Sequence, residues 1–147
     1  MRAVIQRVKE ASVKVKGFVV GEIGQGLLVL LGISQGDSAN DIPWMVDKII
    51  NLRIFEKEDG KLDQSLLDID GALLIVSQFT LYGDCSKGRR PSFSEAMSVK
   101  DAKTYFEMFL EKAKERVAKV ENGTFQTSME VSLVNEGPVT IIIDSKR

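Results

Sequence analysis

The chain has 147 residues, 44% of them hydrophobic and 28% charged, with 12 Gly and 3 Pro. Length and composition indicate one compact globular domain over residues 1–147, not a disordered, collagenous or disulfide-stapled chain. Twenty Lys and Arg stand against 21 Asp and Glu, a formal net charge of -1, so bulk charge gives no drive toward non-specific nucleic-acid or membrane binding. There is no His, and Cys85 is the single Cys. Ser-His-Asp and Cys-His pairs, HExxH zinc sites, multi-cysteine zinc sites and internal disulfides are thereby excluded. Catalysis would have to rest on hydroxyls, amides, carboxylates, Lys or Arg, backbone groups or the substrate itself. Met1-Arg2-Ala3-Val4 does not open a secretion signal. Apolar runs such as Gly26 to Ile33 are too short to cross a bilayer, so the expected location is the cytoplasm.

Strand patterns dominate the first third. Arg2 to Val8 is rich in β-branched residues, and Ala11, Val13 and Val15 then alternate with Ser12, Lys14 and Lys16. Lys16-Gly17 predicts a turn into a second strand, Phe18 to Ile23. Gly24-Gln25-Gly26 is another turn, and Leu27 to Ile33 reads as a strand buried on both faces. A helix follows, with Asn40 or Asp41 able to cap it and Pro43 near its first turn. Ile42, Met45, Val46, Ile49 and Ile50 form its apolar stripe. Ile54 to Glu56 leads into an acidic turn at Asp59-Gly60, and Ala72 to Tyr82 reads as one long strand. The spacing of Val99, Ala102, Phe106, Phe109, Leu110, Ala113, Val117 and Val120 predicts a helix over Val99 to Val120, opened by a capping box at Ser98 and Asp101. The alternation from Met129 to Leu133 and the run Val139 to Ile143 return to strand. Neither repeat nor linker interrupts this α/β order.

Three segments are candidates for chemistry. Ser77-Gln78-Phe79-Thr80-Leu81 places three hydrogen-bonding side chains in four positions of an otherwise apolar strand. A half-exposed strand accounts for that alternation. Gln and Ser nevertheless form strands less readily than Val and Thr, which leaves a functional site open. Asn135-Glu136-Gly137-Pro138-Val139-Thr140 joins two strands through Gly-Pro, a turn signal that could also hold carbonyl groups in a fixed direction. Lys87-Gly88-Arg89-Arg90-Pro91-Ser92-Phe93 carries three cations in four residues, either a solvated loop or a phosphate-contacting patch. Three other features carry no function. Gly21 to Gly26 has the wrong glycine order for a dinucleotide site, Glu56, Glu58, Asp59 and Asp63 lack EF-hand spacing, and Cys85 has no His or Cys partner.

Together and in this order, these segments resemble the D-aminoacyl-tRNA deacylase family, also called D-tyrosyl-tRNA deacylase. The likeness runs through Ala3 to Val8, Ala11-Ser12-Val13, Gly24 to Gly32, Leu52-Arg53-Ile54-Phe55, Ser77 to Leu81, Arg90 to Phe93 and Asn135 to Thr140. It covers essentially the whole chain, and both signature motifs, SQFTL and NxGPVT, are intact. The resemblance implies a single compact α/β domain of barrel-like β-sheet layers with two principal helices packed outside. It implies an esterase that frees D-amino acids from the 3′-terminal adenosine of tRNA, and glycine from glycyl-tRNA(Ala), without metal or cofactor. The partners would be those tRNAs and a second copy of the chain, with active sites at the dimer interface and no membrane. Ser77, Gln78, Phe79 and Thr80 would then form the catalytic segment, with Thr80 in a positioning role. Gly137 and a cis Pro138 would enter the partner's site, where rigid carbonyls exclude an L side chain and admit a D side chain or glycine. Because an aminoacyl ester is already activated, the substrate's own 2′-hydroxyl would help to activate water, which fits a chain without His. Phe125 and Met129 match positions near the adenosine pocket, although core packing also explains an aromatic and a thioether. Arg7 would brace the Gly-Pro loop, or form an ordinary surface ion pair. Lys87, Arg89 and Arg90 are the candidates for tRNA phosphates. Competing functions are a non-catalytic tRNA-binding module of the same fold, a paralogue editing L-alanine, and a small-molecule esterase. The intact motif pair opposes the paralogue, and the lack of a triad opposes the small-molecule esterase.

Overall fold

In the computed structural model, which describes residues 1–146, the long first strand β1 (Arg2–Val15) organises the sheet. Its first half pairs with β3 (Gly26–Gly32), from Arg2 opposite Gly32 to Val8 opposite Gly26. From Ala11 onward it pairs instead with β2 (Phe18–Ile23), the hairpin expected across Lys16-Gly17. Lys16 and Gly17 both take positive φ, which lets a two-residue loop reverse the chain. The exposed pair Lys9-Glu10 marks the change of neighbour.

Beyond β3 the sheet becomes parallel. β3 pairs with β6 (Ala72–Ser77), and β6 pairs with β7 (Val120–Asn122). Parallel neighbours need a crossover, and here two helices supply it. These are α1 (Asp41–Ile50), followed by the small hairpin β4 (Phe55–Glu56) and β5 (Leu62–Gln64), and α2 (Val99–Lys114). The sheet curls until Gly21 of β2 faces Asn122 of β7, where a Cβ on Gly21 would lie 2.9 Å from the Asn122 carbonyl oxygen. The result is a nearly closed barrel with two helices outside.

Period-two alternation divides the core. Leu27, Val29, Leu31, Leu73 and Ile75 face α1 and α2, while Leu28, Leu74 and Val76 face the barrel interior with Val8 and Val13. β3 is thus buried on both faces, as its continuous apolar run predicts. The α1 stripe is buried along its whole length. Asn40 precedes α1 without a side-chain cap, and the Asp41 carboxylate instead accepts from the Ser38 N–H (2.8 Å). Ser98 does cap α2: its Oγ accepts from the Asp101 N–H (3.3 Å) and donates to the Asp101 carboxylate (2.9 Å).

Three sequence expectations change. The helix expected to reach Val120 ends at Lys114; Val117 is buried beyond it, and Val120 opens β7 opposite Leu73. Helical spacing continues through Val117 and Val120 in the sequence, but sheet pairing overrides a local pattern of β-branched residues. The strand expected over Ala72 to Tyr82 ends at Ser77. Its partner β3 runs out at Gly32, and after a last bond from the Gln78 N–H to Leu31 O (2.8 Å) the chain enters a short 3₁₀ turn, Phe79–Tyr82. Asn135 to Thr140 is not a turn joining two strands. It lies within one 15-residue strand, β8 (Glu130–Asp144), which pairs with β1 from end to end. Gln6 stands opposite Thr140 and Val8 opposite Asn135, so Glu136 to Val139 bulge out across from Arg7 alone.

Candidate active site

A cleft of about 460 Å³ opens between the two cores. One wall is the end of β6 and the start of the 3₁₀ turn: Ser77, Gln78 and Phe79. Phe125 and Met129, on the segment that leads from β7 into β8, line the same cleft. Core packing accounts for both residues only in part, because each is half-buried, packs on a core and also lines the cleft. The Phe125 ring lies 5.7 Å from that of Phe106 on α2. Met129 passes directly over Gly123, where a Cβ would stand 2.6 Å from its sulfur, so the glycine makes room for the thioether.

None of the residues lining the cleft ionises. Its polar side chains are the Ser77 and Thr127 hydroxyls and the Gln78 and Gln126 amides. The first bond of the 3₁₀ turn runs from the Leu81 N–H to Gln78 O (3.2 Å), which leaves the N–H groups of Phe79 and Thr80 before it to other acceptors. Thr80 is exposed, and its hydroxyl accepts from the Gln78 side-chain amide. Gly32 lets the turn sit directly on β3: a Cβ there would be 3.1 Å from both Gln78 O and the Leu81 Cβ. Behind the turn, the Arg2 guanidinium lies 4.9 Å from the Tyr82 ring centre. Burial, reinforced by the charge of Asp37, pushes the Tyr82 hydroxyl up to about 12.

The β8 bulge lies elsewhere in the same chain. Gly137 and Pro138 are exposed, joined by a cis peptide bond, and absent from the lining of the cleft. Asn135 closes the bulge, its side-chain oxygen accepting from the Val139 N–H (2.8 Å) and its amide donating to Val139 O (3.2 Å). Arg7 fills the space beneath. It is 4% exposed, so it is no surface ion pair. Its Nε donates to Glu136 O (2.9 Å) and one terminal nitrogen to Ile54 O (2.8 Å), while Glu56 lies 3.5 Å from the other.

Lys87, Arg89 and Arg90 are exposed on a loop closed by mutual Asp84–Ser92 main-chain bonds of 2.8 and 2.9 Å. Among the described residues, no group of three or more His, Cys, Asp or Glu is placed to hold a metal ion.

Part of the cleft escaped sequence reasoning. Ala96, Met97, Val99 and Ala102 at the approach to α2 line it, with Gln126 and Thr127. A signal existed at Val99, which is 53% exposed although it continues the apolar spacing of α2. An apolar helix-start residue left outside the core marks a surface that something else can cover.

Fold and cleft together define a class: an α/β barrel protein with a largely apolar, uncharged cleft beside a short 3₁₀ turn. Residues 4–144 match the family model described as D-Tyr-tRNA(Tyr) deacylase. Over 147 residues the chain is 59% identical to a D-aminoacyl-tRNA deacylase of Thermosipho africanus, covering 99% of that protein. A solved structure described as c-Myc DNA unwinding element binding protein superposes with a TM-score of 0.93 at 43% identity, with 98% of each chain covered. A solved structure described as a "probable eukaryotic D-amino acid tRNA deacylase" shares the fold at a TM-score of 0.83 and 18% identity, over 97% of each chain. The chain belongs to the D-Tyr-tRNA(Tyr) deacylase family.

Proposed function

We propose that this chain is a D-aminoacyl-tRNA deacylase, a cytoplasmic hydrolase that frees tRNA from D-amino acids by cleaving the ester at the terminal adenosine. The observation that carries this reading is the uncharged cleft, which Ser77, Gln78 and Phe79 line together with Phe125 and Met129. Such a cleft suits an activated ester and a nucleobase, and it offers no acid or base for a stable amide.

Phe125 and Met129 hold the adenine. The ester carbonyl oxygen lies toward the Phe79 and Thr80 N–H groups, which stabilise the negative charge that develops on it. Water attacks the carbonyl carbon with its proton drawn off by the neighbouring ribose 2′-hydroxyl. The tetrahedral intermediate then collapses, the ribose 3′-oxygen leaves with the proton that the 2′-hydroxyl passes on to it, and the free amino acid departs. Thr80 orients Gln78 and is not the nucleophile, since among the described residues its hydroxyl is hydrogen-bonded to the Gln78 amide and to no base.

Selectivity comes from a second copy. The exposed Gly137-Pro138 corner, closed by Asn135 and held from beneath by Arg7, is a rigid projection far better suited to a partner's cleft than to its own. There its carbonyls occupy the space of an L side chain, while a D side chain or the hydrogen of glycine escapes the clash. D-aminoacyl-tRNAs and glycyl-tRNA(Ala) are thus the substrates, and the 147-residue domain acts as a homodimer.

The deciding experiment is hydrolysis of matched D-tyrosyl- and L-tyrosyl-tRNA with EDTA present. Release from the D form alone is expected. Equal release from both removes Gly137-Pro138 as the chiral filter. Release from neither, with tRNA still bound, supports a second reading, a non-catalytic nucleic-acid-binding module, which the name of the 43% identical structure favours.

A further inference from the structure

Phe79 and Phe93 form an aromatic pair at the rim of the cleft that the core does not need. Their ring centres are 5.1 Å apart at an interplanar angle of 69°, and they remain 59% and 38% exposed. In an edge-to-face pair, at least one face of each ring is left uncovered by the other. Phe93 does not line the cleft, and it is placed with care. The paired Asp84 and Ser92 main chains fix the base of its loop, and Gly83 makes its seat. A Cβ on Gly83 would lie 3.0 Å from the Phe93 ring and 3.0 Å from Thr80 O. The same loop presents Lys87, Arg89 and Arg90 to solvent. Among the described residues no carboxylate pairs with these three, whereas Arg2, Arg53 and Arg116 each have one. Open aromatic faces beside unpaired cations are the combination that binds single-stranded nucleic acid, by stacking on the bases and contact with the phosphates.

We propose that Phe79 and Phe93 form a stacking platform for the unpaired base immediately 5′ of the terminal adenosine, with the Lys87 to Arg90 loop taking the adjoining phosphates. The inference rests on the deacylase reading for the direction of the strand, since the cleft holds the last nucleotide and Phe79 belongs to both cleft and rim. The platform reads no sequence, because every base offers a π face. It would grip the common single-stranded end of any tRNA and leave discrimination to the cleft.

The test compares two D-tyrosyl esters, one of adenosine alone and one of the trinucleotide cytidylyl-cytidylyl-adenosine. The wild type should have the lower KM for the trinucleotide. Phe93→Leu keeps apolar contact with Phe79 and Gly83 but removes the ring. It should raise the trinucleotide KM about five- to a hundredfold, the range of one lost base stack, and move the adenosine KM less than about twofold. Phe93→Trp should restore the trinucleotide KM. Equal slowing on both esters would mean that Phe93 only supports the 3₁₀ turn, and equal wild-type KM values would mean that no upstream base is held; either result overturns the platform. If the wild type hydrolyses neither ester, the deacylase reading fails on its own. Affinity for the uncharged trinucleotide then decides the platform, which requires Phe93→Leu to weaken binding and Phe93→Trp to restore it.

Discussion

Arg7 places its guanidinium against main-chain oxygens, Glu136 O and Ile54 O, more closely than against any carboxylate. Its removal would strand one buried acceptor, Ile54 O, and one half-buried acceptor, Glu136 O, and release the bulge they help to hold. Arg7→Met should therefore lower unfolding free energy by about 3 kcal/mol, read from urea midpoints at constant slope. Arg7→Lys should recover little, since an ammonium cannot span two divergent acceptors. At Thr80 the opposite result is expected. Thr80→Ala loses only a partner for the Gln78 amide, so hydrolysis should persist within about tenfold of wild type, the scale of one modest hydrogen bond. Complete loss with normal tRNA binding would make the hydroxyl a chemical participant. Tyr82 adds a pH signature. Its folded-state value, about 12, lies above the ordinary 10.0, so above pH 10 the unfolded chain releases this proton before the folded one does. Its contribution to stability is complete below pH 10 and is lost as pH rises toward 12. The urea midpoint of the wild type should fall further between pH 9 and 11 than that of Tyr82→Phe.

At the scale of elements, the 3₁₀ turn depends on a glycine in another strand. Gly32 closes β3 where the turn packs on it, and a methyl group there meets Gln78 O and the Leu81 Cβ at 3.1 Å. Gly32→Ala should displace the donors at Phe79 and Thr80 by a few tenths of an ångström. We expect kcat to fall roughly ten- to a hundredfold with a smaller change in KM, because reacting groups tolerate little misplacement. An unchanged kcat would show that the turn relaxes without cost to the chemistry. This element also shows where sequence reading stops. Ser77 to Leu81 was legible as unusual, since polar residues interrupt an apolar run. Its shape was not, because the strand ends only where β3 ends, and that limit belongs to a segment more than forty residues earlier. The α2 boundary failed for a related reason: Val117 and Val120 keep helical spacing but serve the core and β7.

For the whole molecule, the cleft and the Gly137-Pro138 corner lie in different places on one chain, so the proposed reaction needs two copies. Ile142 and Val134, on the solvent side of β8 to either side of the bulge, are 65% and 44% exposed. They give that strand an apolar surface for a partner to cover. Light scattering should report a mass near twice 16.3 kDa. On dilution, specific activity toward D-tyrosyl-tRNA should fall in step with the loss of that mass. Constant specific activity from a monomer would place the whole site in one chain.

The sequence by itself determined β1 to β3 and the α1 stripe, because hydrophobic periodicity is a local property that each segment carries alone. It also determined the absence of imidazole chemistry, and its paired motifs pointed to the family. Tertiary structure alone decided that Phe125 and Met129 line one cleft with Ser77 to Phe79, that Arg7 is buried beneath a bulge, and that Phe93 rests on Gly83 beside Phe79. Each of these is a meeting of segments brought together by sheet register and crossover packing. A period along the chain contains no information about which distant segment will stand opposite it.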